Sequence, residues 1–240
     1  MDPTTVFLYA LNKDVDAHNE RMLNDMGGAV ETISAIYNMN TADDMLSAAL
    51  ERNRTDTLPS MLRVCVGARV MLLHNIDVTD RLANGALGVA TSFIRNRDKQ
   101  IIYICVEFDD PTAGRRRRFT HAVEGTPGRS VAIGRITRQV RTSSSQRITQ
   151  FPLRLAWGLT IHKSQGSTYA SVAVSHRGIR TPNQAYVAYS RATSLQGLHL
   201  VDDEFDKIFC DATVCCAIRQ WSPTKIVYAG EGRRRTYANV

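Results

Sequence analysis

The spacing of apolar residues changes character twice along the 240-residue chain. An apolar run at 6–10 is followed by a helical period that begins at Asn12, a candidate N-cap, and ends at a Gly-Gly pair, which predicts a strand and a helix. From about 68 to 111 the pattern becomes short strands separated by turn residues, typical of a small barrel or meander. Strands and helices alternate again from 153 to 201. This order predicts an α/β domain that carries an inserted β module.

The two changes of pattern set the predicted domain boundaries. Residues 1–58 and 149–222 are expected to close into one α/β domain, and residues 59–148 to form the inserted module. Residues 223–240 are predicted to be a basic C-terminal tail. Within the module, the quartet Arg115–Arg118 and the arginine-rich stretch after it predict a basic hairpin or a mobile loop.

Arginine dominates the positive charge. The chain has 30 Lys+Arg against 23 Asp+Glu, a net charge of +7, and only 5 of the basic residues are lysine, which leaves 25 arginines. Guanidinium groups match phosphate oxygens as planar forks, so nucleic acid or nucleotide is the expected partner. A GC-rich genome would enrich arginine equally, and composition alone leaves both explanations open.

Hydropathy and cysteine spacing exclude several classes of protein. Hydrophobic residues make up 43% of the chain, enough for a core, and no run approaches the roughly 18 apolar residues of a membrane helix. The N-terminus lacks a signal-peptide pattern, so we expect a soluble intracellular protein. The five cysteines are scattered without C-x₂-C spacing, which argues against a zinc or redox protein and predicts core thiols.

The segment Thr160–Thr168 carries the first group of candidate ligand-binding residues. It places hydroxyl groups, an imidazole and an ammonium group between two apolar runs, with a glycine that allows close backbone approach. Phosphate oxygens bind such donors. The segment is not a Walker A loop, because G-x-x-x-x-G-K-[ST] would need glycine where His162 stands. Phosphate binding and an ordinary polar loop both stay open on spacing alone.

A second candidate segment covers residues 183–192. A helix is expected to begin near Thr181 and to run to about Ala192. On that helix Gln184 and Arg191 would share a face, because they are seven residues apart. The face could present Arg191 to a partner outside the domain, or Arg191 could be an ordinary surface residue.

Four segments together resemble a known family. Residues 155–168 resemble motif V of the Pif-like and RecD-like superfamily-one DNA helicases, and residues 184–192 resemble motif VI. Residues 8–19 resemble motif IV with its following helix, and residues 66–75 with 82–85 resemble the entry to the family's inserted β module. The segments occur in the family's order.

The resemblance implies a fold and a function. It implies a RecA-like domain of the P-loop NTPase type, the second of a motor's two, lacking Walker A and carrying an inserted SH3-like β-barrel. Such motors move 5′ to 3′ on single-stranded DNA as two RecA-like domains close around ATP. The chain is therefore expected to be the C-terminal motor half of an ATP-dependent DNA helicase.

The resemblance also assigns roles to residues. Arg191 would be the arginine finger, the catalytic residue that reaches the γ-phosphate of ATP held by the other domain. Gln165, Gly166 and Gln184 would join it on the nucleotide side. The residues expected to contact the DNA backbone are Asn12, His162, Lys163, Ser164 and Thr168. Charge alone adds Arg115, Arg116, Arg117 and Arg118 to the DNA-binding set, and no residue is predicted to bind a metal.

The sequence departs from a complete motor in one respect. No Walker A motif occurs in it, so ATP and Mg²⁺ are expected to be bound mainly by an absent N-terminal RecA-like domain, in cis or in trans. Alone, the chain should not hydrolyse ATP. Asp202 and the two acids after it follow an apolar strand, and we interpret them as a solvated cap for the next helix rather than as Walker B. The alternative function is a non-catalytic, nucleic-acid-binding helicase remnant.

Overall fold

The computed structural model describes residues 4–38, 58–118, 128–139, 147–181 and 183–202. The predicted tail at 223–240 and the end of the predicted α/β domain, residues 203–222, lie outside these ranges. Within them no helix is long and apolar enough to cross a membrane. The elements are β1 (Val6–Tyr9), α1 (Asn12–Asp25), β2 (Glu31–Ser34), β3 (Ile36–Asn38), β4 (Met61–Val64), β5 (Arg69–Leu72), β6 (Leu87–Arg95), β7 (Ile101–Phe108), β8 (Val131–Gly134), β9 (Ile136–Gln139), β10 (Arg147–Gln150), β11 (Leu153–Leu155), β12 (Gly158–Thr160), a 3₁₀ helix (Ile161–Ser164), β13 (Val172–Val174), α2 (Gln184–Tyr189) and β14 (Leu198–Leu200).

A four-stranded parallel sheet carries the candidate site. Its strand order is β12-β1-β13-β14, so the N-terminal strand lies between two strands from the end of the chain. All residues of β12 and β13 are buried, as expected for a parallel sheet, whose strands read as short apolar runs. The predicted mixed α/β fold is confirmed.

The antiparallel strands form a separate five-stranded sheet in the order β11-β5-β6-β7-β8. Register shifts between Ala90 and Ser92 and between Ile94 and Arg95 interrupt the long β6–β7 ladder, and such bulges bend a sheet. Met71 and Leu87 pack into the core of the parallel sheet, so the two sheets share apolar contacts.

Two smaller pairings connect parts of the chain that the predicted boundaries separate. β2 pairs with β4 across the boundary at residue 58, and β11 pairs with β5 across the boundary at residue 148. A three-stranded sheet, β3-β10-β9, includes part of the arginine-rich stretch as an antiparallel hairpin. The division into two domains stays a prediction.

Helix α1 buries two polar side chains beside two apolar ones. Leu11, not Asn12, is its N-cap, with no side-chain capping bond, so the N-cap prediction is wrong. The buried residues are Val15, His18, Asn19 and Leu23. The polar pair therefore faces the protein interior, where each side chain needs partners.

His18 is held as a neutral imidazole. Its Nδ1 lies 2.9 Å from the hydroxyl of Tyr9 and 3.2 Å from the guanidinium of Arg21, and its ring packs against Phe7 at 4.3 Å between centroids. Burial, with the Arg21 charge adding to it, lowers the pKa of His18 from 6.5 to about 4. The folded protein therefore resists protonating this ring.

We expect the pH dependence of stability to report on His18. As the pH falls from 6.5 toward about 4, His18 becomes protonated in the unfolded chain but stays neutral in the folded one. The unfolded state therefore gains stability relative to the folded state, and the free energy of unfolding decreases. His18→Gln should flatten this decrease in urea unfolding curves measured between pH 7 and pH 4.5. His162→Gln, at an exposed position, is the matched control. An unchanged slope in His18→Gln would contradict the assignment.

Candidate functional site

The two candidate segments lie side by side at one end of the parallel sheet. The backbone N–H of Tyr169 donates to the carbonyl of Arg191 at 2.8 Å, and the N–H of Thr193 donates back to Tyr169 at 3.0 Å. This bridge joins the end of the first segment to the end of the second. Residues 160–168 and 184–192 therefore form one surface.

The first segment is a loop built on a single 3₁₀ turn. The hydroxyl of Thr160 accepts a hydrogen bond from the backbone N–H of Lys163 at 3.3 Å and caps the turn. Gly166 has a φ of +82°, which L-residues with a side chain rarely adopt, and reverses the chain. His162, Gln165 and Thr168 are exposed, and Lys163 is half-buried.

Ser164 departs from its predicted role. Its side chain is buried, and its hydroxyl donates to the carbonyl of Ile161 at 2.7 Å. The hydroxyl therefore holds the 3₁₀ turn together, and in this conformation it cannot face the DNA backbone. The loop offers His162, Lys163 and Thr168 instead.

Arg191 ties the loop to the second segment. Its Nη1 donates to the carbonyl of Ser167 at 3.1 Å and lies 3.5 Å from that of Ser164. Its Nε donates to the carbonyl of Val187 at 3.0 Å, and Nη2 donates to the hydroxyl of Ser190 at 2.9 Å. The guanidinium is half-buried. It therefore lies across the loop rather than pointing away from the domain.

Helix α2 is shorter than predicted. It begins at Gln184 and ends at Tyr189, and Asn183 precedes it with a φ of 65°. Gln184 is buried, and its Oε1 accepts a hydrogen bond from the hydroxyl of Thr181 at 3.3 Å. Gln184 therefore fixes the start of the helix, and Arg191 lies beyond its end.

The other predicted DNA-binding residues lie elsewhere. Asn12 is exposed at the first turn of α1, after β1 of the parallel sheet. The quartet Arg115–Arg118 follows the turn after β7 in the antiparallel part. There Arg118 donates to the carbonyls of Pro111 and Ala113 at 2.6 and 3.1 Å, so its guanidinium stabilises the turn after β7.

Neighbouring residues divide the quartet further. The backbone N–H of Arg116 donates to the carboxylate of Asp80 at 3.1 Å, and its side chain lies 3.4 Å from the hydroxyl of Thr79. The side chains of Arg115, Arg116 and Arg117 are exposed, and Arg118 is half-buried. Because the Arg116 side chain also lies beside a neighbouring hydroxyl, Arg115 and Arg117 are the better candidates for binding DNA.

Asn19, whose side chain binds the strand that leads into the 160–168 loop, was not identified from the sequence. Its Oδ1 accepts from the N–H of Gly158 at 2.7 Å, and its Nδ2 donates to the carbonyls of Gly158 and Leu155 at 3.1 and 3.3 Å. β12 is an edge strand, and Asn19 pairs with it as a neighbouring strand would. A Cβ at position 158 would lie 3.2 Å from the ring of His18, so glycine permits this approach.

A buried network around His176 was also missed. The ring places Nδ1 2.9 Å from Oδ1 of Asp202 and Nε2 2.5 Å from the hydroxyl of Tyr189. Asp202 also accepts from the hydroxyl of Ser175 at 2.6 Å and from the backbone N–H of His176. The interpretation of Asp202 as part of a solvated cap is therefore wrong. The two acids after it lie outside the described residues.

The chemistry of Asp202 follows from these bonds. Burial alone would raise its pKa, but the hydrogen bonds from Ser175 and His176 outweigh burial, and the pKa of Asp202 is lowered. The carboxylate is thus ionised at neutral pH. Among the residues that the structure describes, no three metal-ligating side chains come together.

Comparison with known proteins places this geometry in context. The family model described as DNA helicase Pif1, 2B domain, matches residues 53–93. The human ATP-dependent DNA helicase PIF1 is 34% identical over 203 residues, which cover 84% of this chain and 28% of that protein. The chain thus spans less than a third of that relative's length.

Solved structures share the fold. The crystal structure of Pif1 helicase from Candida albicans superposes with a TM-score of 0.70 and 30% identity over 92% of this chain and 51% of that one. The structure of Pif1 helicase from Bacteroides in complex with ADP-AlF3 and single-stranded DNA gives a TM-score of 0.63 at 23% identity, over 91% of this chain and 45% of that one.

The shared fold and the matched sequences show a mixed α/β protein that resembles DNA helicases. The resemblance is to the Pif1-like family, which confirms the prediction made from the motif V- and VI-like segments. The coverage of about half of each solved chain is consistent with the C-terminal half of such a helicase.

Proposed function

We propose that the chain provides the second RecA-like domain of a Pif1-like, ATP-dependent DNA helicase that moves 5′ to 3′. One observation carries the proposal: the guanidinium of Arg191 bonds to carbonyls of the 160–168 loop. The candidate nucleotide-sensing residue and the candidate DNA-binding loop are therefore one hydrogen-bonded unit. The relatives named ATP-dependent DNA helicases support the same conclusion.

The proposed domain arrangement follows the two larger sheets, although the β2–β4 and β11–β5 pairings cross its boundaries. The parallel sheet and its helices would be the RecA-like domain, built from residues 1–58 and 149–222. The five-stranded antiparallel sheet would be the inserted SH3-like barrel, built from residues 59–148 with β11 at its edge. The matched 2B-domain model begins at residue 53, close to the start of this module.

The described residues fit one side of an ATP site. Arg191 carries several N–H donors on a half-buried guanidinium, which suits a phosphate group, and Gln165 and Gly166 lie exposed on the same loop. Gln184 would act from behind, because its side chain is buried against Thr181. ATP supplies the phosphoryl group whose transfer to water drives such motors. Arg191 would stabilise the negative charge on that group from across the domain cleft.

The rest of the ATP site must come from another domain. The sequence contains no Walker A motif, so this chain offers no P-loop lysine and no P-loop hydroxyl for Mg²⁺. We propose that a Walker-containing RecA-like domain, in the same polypeptide or another, holds ATP and Mg²⁺. Without it the chain would not turn over ATP.

The proposed DNA surface is the outer side of the same loop. His162, Lys163 and Thr168 are exposed or half-buried there, and Asn12 is exposed at the start of α1. An ammonium and a hydroxyl bind phosphate oxygens without reading base sequence. Binding of single-stranded DNA by this surface should therefore be independent of sequence and weakened by salt.

Reconstitution tests the proposal. The full chain would be combined with the Walker-containing domain of a Pif1 relative, and ATP turnover would be measured with and without single-stranded DNA. We expect DNA to stimulate turnover, and a duplex with a 5′ single-stranded tail to be unwound faster than one with a 3′ tail. Single-stranded DNA binding with no stimulated turnover would contradict the proposal and support the alternative, a non-catalytic helicase remnant.

We expect the arginine quartet to divide into two functional pairs. Arg115→Gln combined with Arg117→Gln removes two exposed charges and should reduce the salt dependence of single-stranded DNA binding by about 1.4 in the slope of log K against log salt. Fluorescence anisotropy between 50 and 300 mM KCl measures this slope. Arg97→Gln, in the exposed turn between β6 and β7, controls for the loss of a charge. If the double variant matches Arg97→Gln, the quartet does not bind DNA.

A further inference from the structure

The His176 network lies at the carboxyl end of the parallel sheet, outside the contacts so far assigned to DNA or nucleotide. β13 ends at Val174 and pairs there with Leu200 at the end of β14. Two residues beyond these ends stand His176 and Asp202, which bond to each other. The sheet itself therefore fixes their separation.

The network is a chain of three side chains. Ionised Asp202 can only accept, so Nδ1 of His176 donates to it. Nε2, on the other side of the ring, lies 2.5 Å from the hydroxyl of Tyr189. The chain of bonds runs from Tyr189 through the fully buried His176 to Asp202.

Tyr189 is the last residue of α2, a helix that needs such an anchor. Six residues make less than two turns, and a helix this short has no stable orientation of its own. Ala185 and Ala188 are buried beneath it but have little side-chain surface to fix its rotation. The ring of Tyr189 packs edge-on against His176 at 5.8 Å, so packing and hydrogen bonding hold the same point.

Arg191 follows Tyr189 by two residues. The anchor at Tyr189 therefore fixes the backbone from which Arg191 reaches the carbonyls of Ser164 and Ser167. The end of α2 is thus held twice: Tyr189 bonds to His176 at the end of the sheet, and Arg191 bonds to the 160–168 loop. A shift of the helix end would carry the guanidinium with it.

We propose that Tyr189, His176 and Asp202 are positioning residues that set the place of Arg191 in the motor. The inference rests on the proposed function, because it needs Arg191 to act on ATP. None of the three touches the nucleotide in this proposal. They would affect ATP turnover only by fixing the orientation of α2, and with it the position of Arg191.

The test uses the reconstituted motor and Tyr189→Phe, which removes one hydroxyl and keeps the ring. We expect kcat for ATP to fall about tenfold, because small displacements of a catalytic group are costly, while KM for ATP and Kd for single-stranded DNA change less than about twofold. Tyr186→Phe, at a 71% exposed tyrosine of the same helix, should leave all three unchanged. In an Arg191→Ala background, Tyr189→Phe should cause no further loss.

Conservative and disruptive changes at Asp202 give a second measurement. The amide oxygen of Asp202→Asn can still accept from Nδ1 of His176, so this variant should keep more turnover than Asp202→Ala. Equal losses in the two variants would overturn the positioning role. A parallel loss of Tm, kcat and DNA affinity in Tyr189→Phe would also overturn it, because that pattern describes a purely structural residue.

Two outcomes separate this inference from the proposed function. If Arg191→Ala keeps full turnover, the proposed function fails and the inference fails with it. If Arg191→Ala abolishes turnover while Tyr189→Phe behaves like Tyr186→Phe, the proposed function stands and the positioning role is wrong.

Discussion

Arg191→Ala should lower the DNA-stimulated ATPase of the reconstituted motor by about 10³-fold or more, since removal of an arginine finger has effects on the order of 10³ to 10⁵ in comparable NTPases. The guanidinium would meet charge that develops on the transferred phosphoryl group, so the loss should fall on kcat. Affinity for single-stranded DNA should change little, because the Thr160 cap and the Ser164 hydroxyl hold the 3₁₀ turn without Arg191. A coupled assay for ADP release and anisotropy on labelled oligonucleotide measure the two quantities.

Arg191→Lys distinguishes charge from geometry. A lysine keeps the positive charge but lacks the fork that spans Val187, Ser167 and Ser190. We expect turnover between that of the wild type and that of Arg191→Ala. Arg180→Ala, at an exposed arginine before α2, is the matched control and should keep wild-type turnover. Equal turnover in Arg191→Ala and Arg180→Ala would show that Arg191 is not the finger.

The same contacts give a physical basis for the proposed coupling between the 160–168 loop and Arg191. In the present conformation Arg191 donates to carbonyls of Ser164 and Ser167, and these donors are the ones a phosphate would use. Reaching a nucleotide therefore requires Arg191 to exchange partners. A loop rearranged by DNA would change the strength of the bonds that are exchanged, which is a direct physical route from DNA binding to ATP turnover.

Local patterns in the sequence predicted the parts of the fold that depend on short-range order. The apolar run at 6–10 predicted β1 to within one residue, because buried strands need consecutive apolar side chains. The strand-rich range from about 68 to 111 contains β5, β6 and β7. Strands such as β9 and β10, with one apolar residue each, carry too little hydrophobic pattern to be recognised individually. Their existence depends on pairing with each other across the arginine-rich stretch.

The site was predictable only to the level of segments. Apart from Gly166, residues 162–168 are all polar, so residue type could not show that Ser164 turns inward while Thr168 stays exposed. That choice depends on the 3₁₀ turn. The partnership of His176 with Asp202 depends on two strand ends meeting, 26 residues apart. Periodicity carries no information about such pairs.

Asn19 is the exception, because the sequence held a signal for it. It lies four residues from both Val15 and Leu23, so it stands in the middle of the apolar face of α1. An amide on such a face must find partners or lose stability. Its partners, at Gly158 and Leu155, lie more than 130 residues away.

Asn19→Ala should therefore destabilise the fold by about 2–5 kcal/mol, since a buried polar group left without a partner costs about 1–3 kcal/mol. The substitution removes the partner of the N–H and of the carbonyl of Gly158, and the edge strand β12 leads directly into the 160–168 loop. Urea unfolding measures the loss, and affinity for single-stranded DNA should decrease with it as the loop loses its support.

A matched variant on the same helix makes the prediction decisive. Asn24→Ala removes an exposed amide whose Oδ1 accepts one 3.5 Å contact from Arg63, and it should change stability by less than about 1 kcal/mol. Asn19→Asp keeps an acceptor for the N–H of Gly158 but loses both donations and adds a buried charge, so it should be at least as destabilising as Asn19→Ala. If Asn19→Ala unfolds at the same urea concentration as Asn24→Ala, the amide does not support β12, and the loop must be held by the sheet alone.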